Sequence, residues 1–299
     1  MQSLVNLTDL SFQLWIYLAI DVVVALCLLF SVRWMAGKMS HVSISEELSV
    51  KDNVAFGISI AGRMLSLCIV LAGAAGRQME KGYGEAIISM VLFGIVGIFL
   101  VRVGRVAHDK LILHQLDKEA VLRERGTSVA VVDASSAVAS AIIINSIMIW
   151  TTGTDTNAIV AIISGFLVVH AILLITTRLI ERRFAASNQN GSMQDALCKG
   201  QLALSIEHSG NLIGTAIIVS AASSLLVYQP AGYVSNITGW LIVGVALTLL
   251  LKALQIIGKR IVLFRLNWRE EVYQQDNVGV ASLLWVMSVG LALIISGLL

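Results

Sequence analysis

Residues 55–74 read AFGISIAGRMLSLCIVLAGA, and residues 203–222 read ALSIEHSGNLIGTAIIVSAA. Each stretch is almost wholly apolar and has the length that a helix needs to cross a bilayer core of about 30 Å. At an offset of 148 residues the two stretches align, and Gly62 of the first matches Gly210 of the second. Together they predict membrane-spanning helices that occur in a duplicated arrangement.

The composition of the whole chain agrees with this prediction. Of the 299 residues, 57% are hydrophobic and only 13% are charged, whereas about one quarter of the residues in soluble domains are charged. A soluble chain this apolar could not cover its surface with polar groups, but lipid as the outer solvent removes that conflict. The net charge of +2 gives no reason to expect nucleic acid as a partner. The expected partner is the lipid bilayer.

Eight runs of the sequence meet or approach the length of a membrane span. They are residues 14–35, 54–76, 86–103, 129–150, 158–180, 202–228, 237–257 and 278–299. The connections after runs one, three, five and seven, with the adjoining helix ends, contain 18 of the 21 Lys and Arg residues. By the positive-inside rule these connections face the cytoplasm. We therefore expect a multi-pass protein of the bacterial inner membrane with both termini periplasmic.

Runs one to four recur as runs five to eight, so we divide the chain into a first repeat at 1–152 and a second at 153–299. Each repeat has four spans, an even number, and the two repeats therefore have the same orientation in the membrane. The predicted fold is an all-α membrane protein with about eight transmembrane helices in two parallel four-helix repeats.

Polar residues stand where the even-numbered runs begin. Asp52 and Asn53 precede run two, Asp276 and Asn277 precede run eight, and Ser128 opens run four. Such side chains can accept hydrogen bonds from the free backbone N–H groups of the first helical turn. We expect them to be helix N-caps, or alternatively to line a cytoplasmic vestibule.

The Asp-Asn-Val-Ala motif at 52–55, together with the tandem halves and the basic loops, resembles a bacterial inner-membrane family. This is the "domain of unknown function 350", or YjfL-like, family, and the resemblance covers nearly the whole chain in two copies. Gly279 replaces the Ala of the motif in the second copy, and Ser128 and Gln201 stand where Asn is typical. The resemblance implies no activity, but it implies an association with envelope-stress and polyamine-related operons.

Polar residues inside the runs are the main indication of function, because an ionisable side chain at the centre of a span costs about 2.5–3.5 kcal/mol. The candidates for an intramembrane polar site are Asp21, Arg63, Asp133, His170, Glu207, His208 and Asn211. Glu207, Gly210, Asn211 and Gly214 share one face of run six, and Arg63 lies on the equivalent face of run two. We expect these two helices to face each other, with Arg63 and Glu207 paired or lining one cavity.

Residues 108–125 read HDKLILHQLDKEAVLRER, with acidic residues among the basic ones. We expect this segment to extend the third helix into the cytoplasm, with ion pairs along it. It would be either a solvated face near anionic lipid or a docking surface for a cytoplasmic partner.

The sequence contains no GxSxG, HExxH, Walker A, GxGxxG or CxxC motif. We therefore predict no enzyme, no catalytic residue, no metal site and no cofactor. Two functions remain, and we favour a transporter or channel for a small solute or ion through a polar seam between the repeats. The alternative is a non-transporting scaffold or sensor whose basic loops recruit an envelope-stress protein. The polar stripe could also be a contact in a homo-oligomer.

Overall fold

The structure is a computed structural model that describes residues 11–39, 42–77 and 79–299. Within these residues it contains twelve α-helices and no strand. They are α1 (Phe12–Met39), α2 (Ile44–Ser49), α3 (Val54–Ala74), α4 (Tyr83–Leu111), α5 (Lys118–Arg123), α6 (Thr127–Trp150), α7 (Thr156–Ser187), α8 (Met193–Cys198), α9 (Leu202–Ser220), α10 (Tyr233–Val262), α11 (Trp268–Tyr273) and α12 (Val278–Leu298). Eight of them are long and apolar enough to cross a membrane, namely α1, α3, α4, α6, α7, α9, α10 and α12. The predicted all-α membrane fold with eight spans is confirmed.

The remaining helices α2, α5, α8 and α11 have six residues each, and each stands directly before a spanning helix. At every one of these junctions the residue two places before the spanning helix has a positive φ: Asp52 (48°), Arg125 (65°), Gly200 (88°) and Asp276 (51°). The chain is therefore built from four copies of one unit. Each unit consists of a spanning helix, a short helix and a second spanning helix. The end of the bundle where the four short helices lie is called the basic end below, and the opposite end is called the far end.

The caps at the basic end differ between the units. The side chain of Asn53 accepts a hydrogen bond from the backbone N–H of Phe56, and Asn277 caps α12 in the same way. Asp276 instead accepts a hydrogen bond from the backbone N–H of Ala203, at 2.7 Å, so it caps α9 and not its own helix. The cap predicted at Ser128 is wrong, because this residue lies inside α6, whose N-cap residue is glycine.

The predicted extension of the third helix through residues 108–125 is also wrong. The helix ends at Leu111, and the chain turns back so that α5 packs on α6. Ile112 and Leu113 in the turn are completely buried, against a cluster that includes Val129 and Phe184. An extended helix would leave these apolar side chains in water, and their burial accounts for the reversal of the chain.

The centre of the bundle is formed by α6 and α9, of whose apolar segments 72% and 78% are buried, against 6% for α1. Within the first half α3 packs along α6, and within the second half α12 packs along α9. The contact of α6 with α9 joins the halves. The predicted contact between the second and sixth spans, α3 and α9, is wrong, since each packs mainly on another helix of its own half.

Small residues determine which helices pack together. Lipid tails are as apolar as leucine, so burying apolar side chains between helices gains little in a membrane. Helices associate instead where small residues let their backbones approach closely. A Cβ atom added to Gly62 of α3 would lie 2.5 Å from Cα of Ala134 in α6. A Cβ atom on Gly210 of α9 would lie 2.7 Å from Cα of Trp285 in α12. The duplicated glycine therefore makes the same contact in both halves.

Replacing either glycine with alanine should weaken the bundle, because the added methyl group meets backbone atoms that cannot move aside independently. For Gly62→Ala and Gly210→Ala we expect a loss of about 1–3 kcal/mol of unfolding free energy, the usual cost of overpacking. Gly290→Ala in α12 is the matched control, since its added Cβ would meet nothing within 4 Å. Thermal unfolding of the purified protein in detergent measures the difference, and equal melting temperatures for all three variants would contradict the packing described.

Candidate functional site

The carboxylate of Asp133 lies at the centre of the first half and is 1% exposed. It lies six residues inside α6, roughly 9 Å from the basic end at 1.5 Å per residue. From α4, Arg105 donates to its Oδ1 through Nε at 3.1 Å and Nη2 at 2.7 Å. Lys118 of α5 donates to the same oxygen at 2.9 Å, and Ser59 of α3 donates to Oδ2. One carboxylate thus joins four helices.

Further charges surround this centre. The guanidinium of Arg63 lies 3.8 Å from Oδ2 of Asp133 and 3.9 Å from Oε1 of Glu119. Lys118 also forms an ion pair with Asp109. Three cations therefore meet three carboxylates, and the buried charges of the cluster balance, as burial away from water requires.

A pocket of about 450 Å³ opens beside Asp133 at the basic end, and we call it the first chamber. Its charged lining residues are Arg63, Arg102, Arg105, Lys110, Lys118, Asp109, Asp117 and Glu119. Five cations outnumber three carboxylates in this lining. Nε of Arg63 is buried without a hydrogen-bond partner in the described part of the chain.

The second half has its own buried carboxylate. Glu207 of α9, 4% exposed, takes the place that Ser59 has in α3 at the repeat offset of 148. Nζ of Lys259 lies 3.4 Å from its Oε1, and the phenol of Tyr273 hydrogen-bonds to it from α11. Burial, and then the neighbouring carboxylate, raise the pKa of Tyr273, so this phenol stays a neutral donor at any physiological pH.

A pocket of about 130 Å³ surrounds Glu207, and we call it the second chamber. Its lining includes four cations, Arg183, Lys252, Lys259 and Arg269, around this one carboxylate. Nζ of Lys252 is bound by neutral oxygens only, Oδ1 of Asn211 at 3.0 Å and Oε1 of Gln255 at 3.2 Å. This cation therefore keeps its charge available to a ligand.

The predicted pairing of Arg63 with Glu207 is wrong. Arg63 lies beside Asp133 and Glu119, and Glu207 lies beside Lys259. The polar stripes of α3 and α9 each turn toward helices of their own half, so each carboxylate is neutralised by cations from its own repeat.

Two histidines lie between the chambers at the interface of the halves. His108 of α4 and His208 of α9 are each 1% exposed, with ring centroids 5.9 Å apart. All four ring nitrogens are buried without a hydrogen-bond partner among the described residues. Asp133 is within electrostatic range of His108, and Lys252 is within range of His208. Buried polar atoms of this kind are normally satisfied by water or a ligand.

Two of the predicted site residues serve other contacts. His170 of α7 stacks on Phe166, and its Nε2 lies 3.1 Å from the backbone oxygen of Gly104. Asp21 of α1 accepts a hydrogen bond from the backbone N–H of Gly76, just beyond the far end of α3. Asp21 is thus separated from both chambers by the length of the bundle.

The far end of the α6–α9 interface is closed. Ser146 of α6 donates to the backbone oxygen of Ser220 at 2.7 Å and lies 3.0 Å from the hydroxyl of Ser223. Trp150 donates from Nε1 to the backbone oxygen of Leu226 at 2.8 Å. These five residues form what we call the far-end seal, which holds α6 to the segment after α9.

Several residues of the chambers escaped the sequence prediction, namely Ser59, Arg105, His108, Lys118, Lys252 and Lys259. Arg105 and His108 follow the apolar run that ends at 103, although α4 continues to Leu111. Lys252 lies inside the predicted run 237–257, and a lysine at that depth was a signal in itself.

A family model described as Domain of Unknown Function (DUF350) matches the chain twice, over residues 7–148 and over residues 153–299. No curated protein and no solved structure matches the chain.

Asp133→Asn should destabilise the first half strongly, because it keeps the shape of the side chain but leaves Arg105 buried without its carboxylate partner. Breaking a buried ion pair on one side costs about 3–5 kcal/mol. Glu124→Gln, at an exposed carboxylate just after α5, is the control and should unfold as the wild type does. Thermal unfolding in detergent measures both, and the double variant Asp133→Asn, Arg105→Gln should recover part of the loss. An unchanged melting temperature for Asp133→Asn would show that the carboxylate does not hold the cluster.

Proposed function

The chain belongs to the DUF350 family, in two tandem copies, and from this premise we propose that it is a transporter or channel for a small anion. The family description states no activity, so the proposal rests on the site. The observation that carries it is the second chamber, where four cations surround one carboxylate inside a membrane bundle. A lining with an excess of one charge attracts and concentrates solutes of the opposite charge.

The size of the second chamber limits the solute. A pocket of about 130 Å³ has room for an ion of a few heavy atoms, such as chloride, inorganic phosphate or a short carboxylate. Lys252 is the cation best placed to bind it, because neutral oxygens alone hold its ammonium group. A polyamine or a metal cation would meet the repulsion of four positive side chains.

The route that we propose runs through the interface between the halves. His108 and His208, whose buried ring nitrogens have no partner among the described residues, would line it between the chambers and the α6–α9 contact. Beyond them lies the far-end seal, which has to open before a solute can pass. By the positive-inside rule we place the basic end at the cytoplasm and both termini in the periplasm. In this orientation the chambers would open to the cytoplasm.

The alternative, a scaffold or sensor that recruits an envelope-stress protein, needs charged groups on the outer surface of the basic end. The segment at 108–125 was the candidate surface, but Asp109 and Lys118 in it pair with each other, and Lys118 also binds Asp133. A scaffold would also gain nothing from a cationic chamber within the bundle. We therefore favour transport.

Lys252→Gln should lower anion uptake at least tenfold, because it removes the cation of the second chamber that the amide oxygens of Asn211 and Gln255 hold in place. Glutamine can still donate to Asn211 and Gln255, so the fold should be kept. Arg260→Gln is the matched control, an exposed cation eight residues along the same helix. Uptake into proteoliposomes is measured with labelled chloride, phosphate and acetate, and in parallel with potassium and spermidine. No anion uptake above empty liposomes, or uptake of the cations instead, would show that the proposal is wrong.

Locking the far-end seal should stop uptake without removing the chambers. We expect the pair Ser146→Cys, Ser223→Cys to form a disulfide on oxidation, since the two hydroxyl oxygens lie 3.0 Å apart. Cys27, Cys68 and Cys198 are first replaced by serine, so that only the new pair can react. Uptake should fall to background under oxidant and return after reduction, while each single cysteine variant is unaffected. Full uptake by the crosslinked protein would exclude this route.

A further inference from the structure

A groove runs along the outside of the first half, between α1, α3 and α4, at the basic end. Its walls are apolar and include Val32, Leu67, Ile98 and Val101, and at one end it is lined by Arg63 and Arg102. Arg63, Arg102 and Arg105 also line the first chamber. The groove is therefore an apolar slot at the lipid-facing side of the bundle that leads to a cluster of guanidinium groups.

Some N–H donors of the guanidinium groups at this end have no hydrogen-bond partner among the described residues. The side chain of Arg63 is 10% exposed, its Nε has no partner in the described part of the chain, and its nearest carboxylate is 3.8 Å away. Arg102 makes no ion pair or hydrogen bond with any described residue. Only Arg105 is fully engaged, by Asp133.

The second half has different side chains at the same place. The equivalents of Arg63, Arg102 and Arg105 are Asn211, at an offset of 148, and Lys252 and Gln255, at an offset of 150. These three side chains bind one another, Lys252 donating to both amide oxygens. In the first half three guanidinium groups stand in their place, and two of them, Arg63 and Arg105, lie beside the carboxylate of Asp133.

We propose that the groove binds an anionic phospholipid, with its phosphate between Arg63 and Arg102 and an acyl chain along the apolar walls. A guanidinium fork matches a phosphate in two-point hydrogen bonding. Basic pockets between spans on the cytoplasmic side are suited to lipid headgroups of negative charge. The apolar walls favour a lipid over free phosphate. One wall is α1, whose apolar segment is only 6% buried, so the groove lies at the periphery of the bundle. This inference does not depend on transport.

The repeat comparison also sets the number of sites. In the second half Asn211 and Lys252 stand in place of Arg63 and Arg102. The two guanidinium forks that hold the phosphate are therefore absent there, and only the first half should bind a phospholipid in this way. The expected stoichiometry is one tightly held anionic lipid per chain.

The test is the retention of lipid by the purified full-length protein, measured by native mass spectrometry after exchange into phosphatidylglycerol or phosphatidylcholine in detergent. Wild type should keep one phosphatidylglycerol per chain and melt at a higher temperature with it than with phosphatidylcholine. Arg102→Gln should lower retention at least tenfold, and this side chain is exposed, so the fold should not suffer. Arg260→Gln removes the same charge from exposed surface of α10 and should retain lipid as wild type does.

A second variant tests the groove apart from its charge. Val32→Phe fills the apolar slot and leaves every arginine unsubstituted. If an acyl chain lies there, this variant should also lower the retention of phosphatidylglycerol. Equal retention by Arg102→Gln and Arg260→Gln, or equal retention of the two lipids, would overturn the proposal. It would also be overturned if inorganic phosphate displaced the lipid or gave the same rise in melting temperature, since the site would then be one for free phosphate.

Discussion

The ion cluster at Asp133 sets the arrangement of the first half. A carboxylate that is 1% exposed can stay ionised only if neighbouring cations and hydrogen bonds replace water. Those neighbours come from different helices, Ser59 from α3, Arg105 from α4 and Lys118 from α5. The chain reversal that ends α4 is what brings Lys118 back into the bundle. Local folding at the basic end and the charge balance inside the membrane therefore depend on each other.

The four units of the chain share a backbone plan but differ in the side chains that they place at its centre. The acid of the first half is on α6, whereas the acid of the second half is on α9, at the place of Ser59. Arg63 and Asn211 also occupy equivalent places with different chemistry. Duplication with divergence thus produces two chambers of different character, one around an ion cluster and one around an available lysine. The proposed solute site and the proposed lipid site follow from this difference.

The two ends of the bundle differ in the residues that they carry. At the basic end short helices, caps and charged side chains leave open space, while at the far end serine hydroxyls and Trp150 close the contact of α6 with α9. For the transport that we propose, the contact at the far end would have to open. The buried histidine pair lies between these ends and is the place where hydration is most needed.

The amino-acid sequence alone determined the eight spans, the two parallel halves, and the polar and glycine positions that recur between them. These properties are local, because span length and apolar composition decide insertion, and the repeat is visible as an alignment. The sequence also identified Asp133, Glu207, Asn211 and His208 as residues of a polar site. Only the tertiary structure decided their partners. By composition alone, the small-residue stripe around Gly62 could pack on a helix of either half. The close approach of its backbone to Ala134 determines that it packs on α6.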